Sequence, residues 1–172
     1  MRKDSIDLRF VVHEHHASHL HYDFRLEMGG VFKSWAIPKG PSMNPAEKRL
    51  AILVEDHSLE YGEFEGIIPA GHYGAGAVVI WDRGSYVLTG EGAPEEQLES
   101  GRFRFELKGK KLKGGFSLAH LKGRGKGNQW LLIKSGDEQA NTKFKLERAL
   151  TEEKKERLGE KIPPCETDSV VP

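Results

Sequence analysis

The sequence predicts an all-β protein, a barrel or a sandwich, on three observations. Short apolar segments rich in Val, Ile, Phe, Tyr and Trp recur along its 172 residues. Turn signals separate them, among them Gly29-Gly30, Pro38-Lys39-Gly40-Pro41 and Gly114-Gly115. Leu20, Tyr22, Phe24 and Leu26 alternate strictly with His21, Asp23, Arg25 and Glu27, the period of a strand with one apolar and one polar face. Evenly spaced short strands with glycine-rich turns are the pattern of barrels and sandwiches.

Taken in order, strands are expected at 8–13, 19–27, 31–37, 50–55, 77–82, 85–88, 102–107, 115–121 and 129–134. Asp82-Arg83-Gly84 has the composition of a hairpin turn between Val78–Trp81 and Ser85–Leu88. Gly71-His72-Tyr73-Gly74-Ala75-Gly76 is expected to be a tight loop entering the strand at Val78; it lacks the Lys-Ser/Thr of a P-loop. Two helical patches remain. Ala93 to Glu99 carries Pro94 in its first turn, and Thr151 to Leu158 opens with Glu152 and Glu153, which suit a helix N-terminus. The expected organisation is one domain over 1–162 and a flexible tail over 163–172, where three prolines follow Ile162.

Composition bounds the setting. Apolar residues make up 37% and charged residues 30%, ordinary for a globular domain. No apolar run approaches the length of a bilayer span and no secretory signal opens the chain. A single cysteine, Cys165, rules out an internal disulfide framework and fits a reducing cytoplasm. The 26 basic and 26 acidic residues balance but segregate. Arg102, Arg104, Lys108, Lys110, Lys111, Lys113, Lys122, Arg124 and Lys126 face one acid, Glu106, and Glu55, Asp56, Glu60, Glu63 and Glu65 form an acidic counterpart. Such a stripe is the footprint of a polyanion or simply a solvated surface.

The chemistry gathers in residues 13–25. Five histidines, His13, His15, His16, His19 and His21, lie within nine residues. His21 and Asp23 share one strand face, and His15 lies six residues before His21, across a loop with Ala17 and Ser18. Two imidazoles and one carboxylate leave open coordination positions, the pattern of a catalytic metal site for manganese, iron or zinc. Arg25, next on that face, can clamp a phosphate or pair with Glu27 or a cross-strand acid. His57, at a strand end after Glu55 and Asp56, is a candidate general acid or phosphate contact.

These residues resemble a known family. Phe10-Val11-Val12, His15, Ala17-Ser18 and Leu20 to Glu27, then Lys33 to Ser42, Lys48-Arg49-Leu50-Ala51, Val54 to His57, Phe64 to Pro69, Tyr73 to Gly76 and Ile80-Trp81-Asp82 closely resemble the 3′-phosphoesterase domain of prokaryotic DNA ligase D, over about 8 to 135. The resemblance implies a compact β-barrel of about eight strands with short helices and its site in a crater. It implies a manganese-dependent repair enzyme of non-homologous end joining that removes a 3′-terminal ribonucleoside and hydrolyses the remaining 3′-phosphate to a hydroxyl. It places Mn²⁺ on His15, His21 and Asp23, phosphate contacts on Arg25 and His57, a functional tyrosine on Tyr61, and nucleic-acid guidance on Lys39 and Arg49. The partners implied are nucleic acid 3′ ends, with separate ligase, polymerase or end-binding proteins and no membrane.

Two departures stand out. Position 13 holds His where the family carries Gln. Only Arg2, Lys3 and Asp4 stand where ligase D has a longer charged arm, so this departure bears on ribonucleoside removal and leaves the phosphatase step as the expected activity. Two rival readings are a non-catalytic DNA-end-binding module and a cupin-like metal oxygenase, the latter poorly served by Arg25 and the basic stripe.

Overall fold

The structure, a computed structural model, describes residues 7–164. Arg2, Lys3, Asp4 and residues 165–172 of the expected tail, Cys165 among them, lie outside the described residues. Nine strands appear: β1 (Leu8–His16), β2 (Leu20–Met28), β3 (Val31–Ile37), β4 (Arg49–His57), β5 (Gly66–Ile68), β6 (Gly76–Leu88), β7 (Arg102–Lys108), β8 (Lys113–His120) and β9 (Gln129–Lys134). They are accompanied by a 3₁₀ turn (Leu59–Glu63) and two short helices, α1 (Pro94–Ser100) and α2 (Glu152–Arg157). Each neighbour in the order β1-β2-β3-β4-β9-β8-β7-β6 is antiparallel, and β1 also pairs with β6, which closes an eight-stranded barrel. β5 adds to β6 from outside the ring. Closure removes the unpaired sheet edges that an open β-sheet exposes.

All eight ring strands send alternate side chains into one interior. Phe10 and Val12, Tyr22, Phe24 and Leu26, Trp35, Ala51, Trp81 and Tyr86, Phe103 and Phe105, Phe116 and Leu118, and Trp130 belong to a single buried cluster. Truncating one of its fully buried phenylalanines to Ala costs about 3–5 kcal/mol. On β7 the other parity, Arg102, Arg104, Glu106 and Lys108, is exposed, the burial alternation a one-sided strand requires. Among the described residues no helix is long and apolar enough to cross a membrane.

The expected hairpin at Asp82–Gly84 is corrected: β6 runs through it as one strand of 13 residues. Asp82 is buried and accepts the amides of Lys110, Lys111 and Leu112, tying down the β7–β8 turn. A Cβ on Gly84 would meet the carbonyl of Lys108, so glycine there marks close backbone approach and not a turn. Opposite β1 the register steps from Val12↔Asp82 to His13↔Ile80, which makes Trp81 the extra residue of a bulge.

The 3₁₀ turn and β5 carry too little period to be foreseen, and they matter most for the site. With Tyr61, Phe64, Ile68 and Val78 they form a second small cluster outside the barrel wall. The C-terminal segment, a strap, packs first on the barrel core, through Phe144, Leu146 and Ala149, and then reaches this layer at Ile67. Glu14, fully buried, accepts the amides of Ala149 and Leu150, Trp81 donates its indole N–H to the carbonyl of Glu147, and Glu160 bridges to Ile67. Pro163, expected in a loose tail, is buried because the strap carries it to the crater wall.

Candidate active site

β1 and β2 build the floor of the site through their register. His15 is directly opposite His21, His13 opposite Asp23 and Val11 opposite Arg25. Since Phe10, Val12, Tyr22 and Phe24 point into the barrel, His13, His15, His21, Asp23 and Arg25 all stand on its outer face. β3 adds Ser34 opposite Arg25 and Ala36 opposite Asp23. β4 continues with Val54 opposite Ser34, and a register shift then sets His57 opposite Phe32. In an unbroken register Asp56 would stand there. The one-residue bulge turns an imidazole toward Arg25 in place of a second carboxylate. The 3₁₀ turn, β5 and the Gly71–Gly76 loop wall the other side, enclosing a crater of about 810 Å³.

Three donor atoms converge on its floor. His15 Nδ1 lies 3.4 Å and His21 Nε2 lies 3.3 Å from Asp23 Oδ2, and the three residues offer ligand atoms within 4.8 Å of one another. Two donors about 2.1 Å from a shared ion stand about 3.0–3.4 Å apart, so the separations suit a metal. The other ring nitrogens are already used. His15 Nε2 contacts the carbonyl of Gly74 at 2.6 Å, and His21 Nδ1 contacts that of His19 at 3.1 Å. A carbonyl only accepts, so each imidazole keeps a proton there; its inward nitrogen donates to Asp23 when the ring is protonated and offers a lone pair when a cation takes that proton's place, the usual arrangement of metal-binding histidines.

The electrostatics agree with this arrangement. Burial alone would raise the Asp23 carboxyl, but hydrogen bonds from His15 and His21 and the Arg25 charge hold it well below the usual carboxylate range. Burial would lower His21; the hydrogen bond and charge of Asp23 outweigh it and raise the imidazole above its ordinary value.

Arg25, 2% exposed, is the hub of the second half of the site. Its Nε donates to His13 Nδ1 at 3.0 Å, its Nη1 donates to Ser34 Oγ at 2.9 Å and approaches His57 Nδ1 at 3.1 Å, and its Nη2 lies 3.4 Å from Asp23 Oδ2. The guanidinium also lies 4.6 Å from the centroid of the Tyr61 ring, which stacks on His57 at 4.6 Å. The pairing of Arg25 is therefore with Asp23 and not with Glu27. With Nε and Nη1 engaged and Nη2 beside Asp23, the fork expected from sequence narrows to the second N–H of Nη2.

His13 stands where the resemblance implies Gln. Its Nδ1 accepts from Arg25 and its Nε2 donates to the carbonyl of Phe64 at 3.1 Å. A glutamine amide offers the same pair, one acceptor and one donor on one planar group. Burial first, then the neighbouring Arg25 charge, holds the His13 imidazole neutral, well below its ordinary value. Burial and Arg25 likewise bring His57 down to about 4. His57 Nδ1 lies 3.1 Å from both Arg25 Nη1 and the carbonyl of Glu55. It can accept from the first or donate to the second, so its Nε2 faces the crater as donor or acceptor according to tautomer.

Of the residues singled out from sequence, His15, His21, Asp23, Arg25, His57 and Tyr61 line the crater together. Lys39 is exposed in the turn after β3, beside the crater-lining Pro38 but outside the lining itself. Arg49 lies at the start of β4, 3.3 Å from Glu47, also outside it. Sequence reasoning missed Ser34, whose signal was its parity with Ala36 on β3. It also missed the carbonyls of His19, Phe64 and Gly74, for which side-chain chemistry carries no signal.

Comparison with known proteins matches this architecture to one domain type. The DNA ligase D 3′-phosphoesterase domain matches residues 13–120. The chain is 54% identical over 142 residues to the multifunctional non-homologous end joining protein LigD of Pseudomonas aeruginosa, covering 82% of this chain and 17% of that protein. To its namesake in Mycolicibacterium smegmatis it is 44% identical over 135 residues, 76% of this chain and 17% of the other. A third, the LigD repair protein of Mycobacterium tuberculosis, is 45% identical over 122 residues, 71% of this chain and 15% of the other. The chain thus spans about a sixth of the length of these relatives.

Proposed function

Because the chain belongs to the DNA ligase D 3′-phosphoesterase family, we propose that it heals nucleic acid 3′ ends, hydrolysing a terminal 3′-phosphate to a hydroxyl for repair and ligation. The observation that carries this reading is the junction, at Asp23, of a three-donor cation site with a buried arginine and a histidine of depressed pKa. A cupin-like oxygenase has no use for that second half.

His15, His21 and Asp23 would hold a divalent cation, manganese on this reading, which when bound neutralises a phosphate oxygen and acidifies a water. The chain's own residues do the rest. Arg25 Nη2, fixed by His13, Ser34 and Tyr61, is aimed beside the cation site where an esterified phosphate would lie. Preorganised donors of this kind stabilise developing charge without reorganisation during reaction. His57, with Nδ1 accepting from Arg25, presents Nε2–H to a phosphate oxygen or the departing 3′-oxygen. Tyr61 acts through position, stacked on His57 and under Arg25. Removal of a terminal ribonucleoside ahead of the phosphatase step is the second activity of this reading, and Lys39 and Arg49 would guide the nucleic acid from outside the crater.

The test is incubation of a labelled primer–template bearing a 3′-phosphate, and a second bearing a single 3′-ribonucleotide, with manganese, magnesium or EDTA. Conversion to a 3′-hydroxyl with manganese and none with EDTA supports the proposal. Full activity in EDTA removes the cation from it, and no conversion under any condition removes the phosphoesterase.

A further inference from the structure

The basic stripe read from sequence is two surfaces, not one. Lys108 pairs with Lys113 at one end of the β7–β8 ladder, while Arg102 pairs with Ala119 at the other, about 20 Å away at 3.3 Å per residue. Lys111 belongs to neither surface, since its ammonium donates to the carbonyl of Trp81 at 2.7 Å and lies over that indole. Arg104 lies on β7 and Lys110 in the β7–β8 turn, while Lys122, Arg124 and Lys126 sit in the loop between β8 and β9.

That loop reads Leu121-Lys-Gly-Arg-Gly-Lys-Gly-Asn128, a cation at every second position with glycine between. Gly123, Gly125 and Gly127 have φ of 76°, 56° and 80°, which only glycine adopts without strain. Lys122, Arg124 and Lys126 are all exposed, none forms an ion pair among the described residues, and no Asp or Glu occurs from 107 to 136. Its stem is nonetheless ordered: Leu121 N–H donates to the carbonyl of Gln129 at 2.8 Å and the His120 ring to that of Gly127 at 2.8 Å. The stem also ties to β4, where Leu53 N–H donates to the carbonyl of Asn128 at 2.8 Å. Leu53 immediately precedes Val54, which lines the crater. The loop therefore stands on the crater's β4 flank, while the Lys108–Lys113 turn is tied by Asp82 to the far end of the ladder.

We infer that the 121–128 loop holds the phosphodiester backbone of the duplex whose 3′ end enters the crater. The inference rests on the proposed end-healing function and adds the surface that bears the rest of the substrate. Unpaired cations at every second position of a glycine-rich turn, with glycines that leave no bulk between them, present their charges to backbone phosphates. Contacts of that kind release counterions and make affinity fall with salt.

The test compares wild type with the triple variant K122Q/R124Q/K126Q and with the control K108Q/K110Q/K113Q. Affinity for a 3′-phosphorylated primer–template is measured by fluorescence anisotropy from 50 to 500 mM KCl, after circular dichroism has confirmed folding. The loop variant should flatten the log–log salt dependence by about 2–3, since three lost phosphate contacts each contribute about 0.9. The control should keep the wild-type slope. An unchanged slope in the loop variant, an equal change in the control, or no duplex binding by wild type overturns the inference. Hydrolysis of a nucleoside 3′-monophosphate by wild type is followed alongside. If that hydrolysis is present while the slopes fail, the loop assignment is wrong and the crater reading stands. Should the slopes behave as expected with no hydrolysis of any 3′-phosphate, the enzyme reading fails and a binding surface remains.

Discussion

Replacing His57 with Ala separates the two halves of the crater. His57 touches Arg25, the carbonyl of Glu55 and the ring of Tyr61, and none of the three donor atoms on His15, His21 and Asp23. Its loss frees one arm of Arg25 and one face of Tyr61. A hydrogen bond to a charged partner contributes about 1.5–3 kcal/mol and an aromatic stack about 0.5–1.5. His57 is only part-buried, so water replaces some of this and the fold should lose about 1–3 kcal/mol. The reaction should lose more: about 10²-fold or greater in rate, the scale of one missing transition-state donor. Initial rates on the 3′-phosphate primer–template at saturating manganese, beside calorimetric manganese titration, read the two effects separately. Manganese affinity should stay within about threefold of wild type. A tenfold loss of affinity would show that His57 reaches the cation, and an unchanged rate would refute the placement of the phosphate against His57.

Asp23→Asn should abolish manganese binding, because the amide cannot supply the charge on which His15 and His21 converge; retained affinity in calorimetry would move the cation elsewhere. The raised pKa of His21 means that a cation must displace a proton as pH falls toward neutrality. Binding should therefore weaken on acidification, with proton release detectable as a dependence of the calorimetric enthalpy on buffer. Stability without metal should also fall on acidification below about pH 6.5. His13 and His57 are held neutral in the fold, His57 down to about 4, and protonate more readily when unfolded. The unfolded chain then binds more protons, and each contributes a slope of about 1.4 kcal/mol per pH unit until the folded pKa is passed. His21, shifted the other way, offsets part of this, so urea midpoints that rise as pH drops from 6.5 to 5 would contradict the assignment. Glu14→Ala should release the strap at Ala149 and Leu150, seen as faster hydrogen exchange of those two amides, while β7 and β8 stay protected.

Local chemistry made much of this site legible from sequence. The alternation of β2 placed His21, Asp23 and Arg25 on one face, and the loop length after His15 brought it opposite His21. Where long-range contacts decided the outcome, local signals misled. Asp82-Arg83-Gly84 has turn composition, yet Asp82 is recruited by amides 28–30 residues away and Gly84 by a neighbouring carbonyl. The bulge that turns His57 and not Asp56 toward Arg25 has no mark in the residues of β4 themselves. Nor does a run of nine cations reveal that the ladder sends Lys108, Lys110 and Lys113 to one end and Arg102 with the 121–128 loop to the other, with Lys111 folded back onto Trp81.

The fixing of His15 and His21 by peptide carbonyls has a consequence for how this protein tolerates genetic change. No single codon change deletes the carbonyl of Gly74 or of His19; as long as the chain follows the same path, both imidazoles keep their orientation. Arg25 is held instead by the side chains of His13 and Ser34, each one substitution from loss. The orientation of the two ion-binding imidazoles is thus insensitive to side-chain replacement in their supports, while the placement of Arg25 is open to it. Position 13 shows what can substitute there: where the resemblance implies an amide, an imidazole supplies one acceptor and one donor.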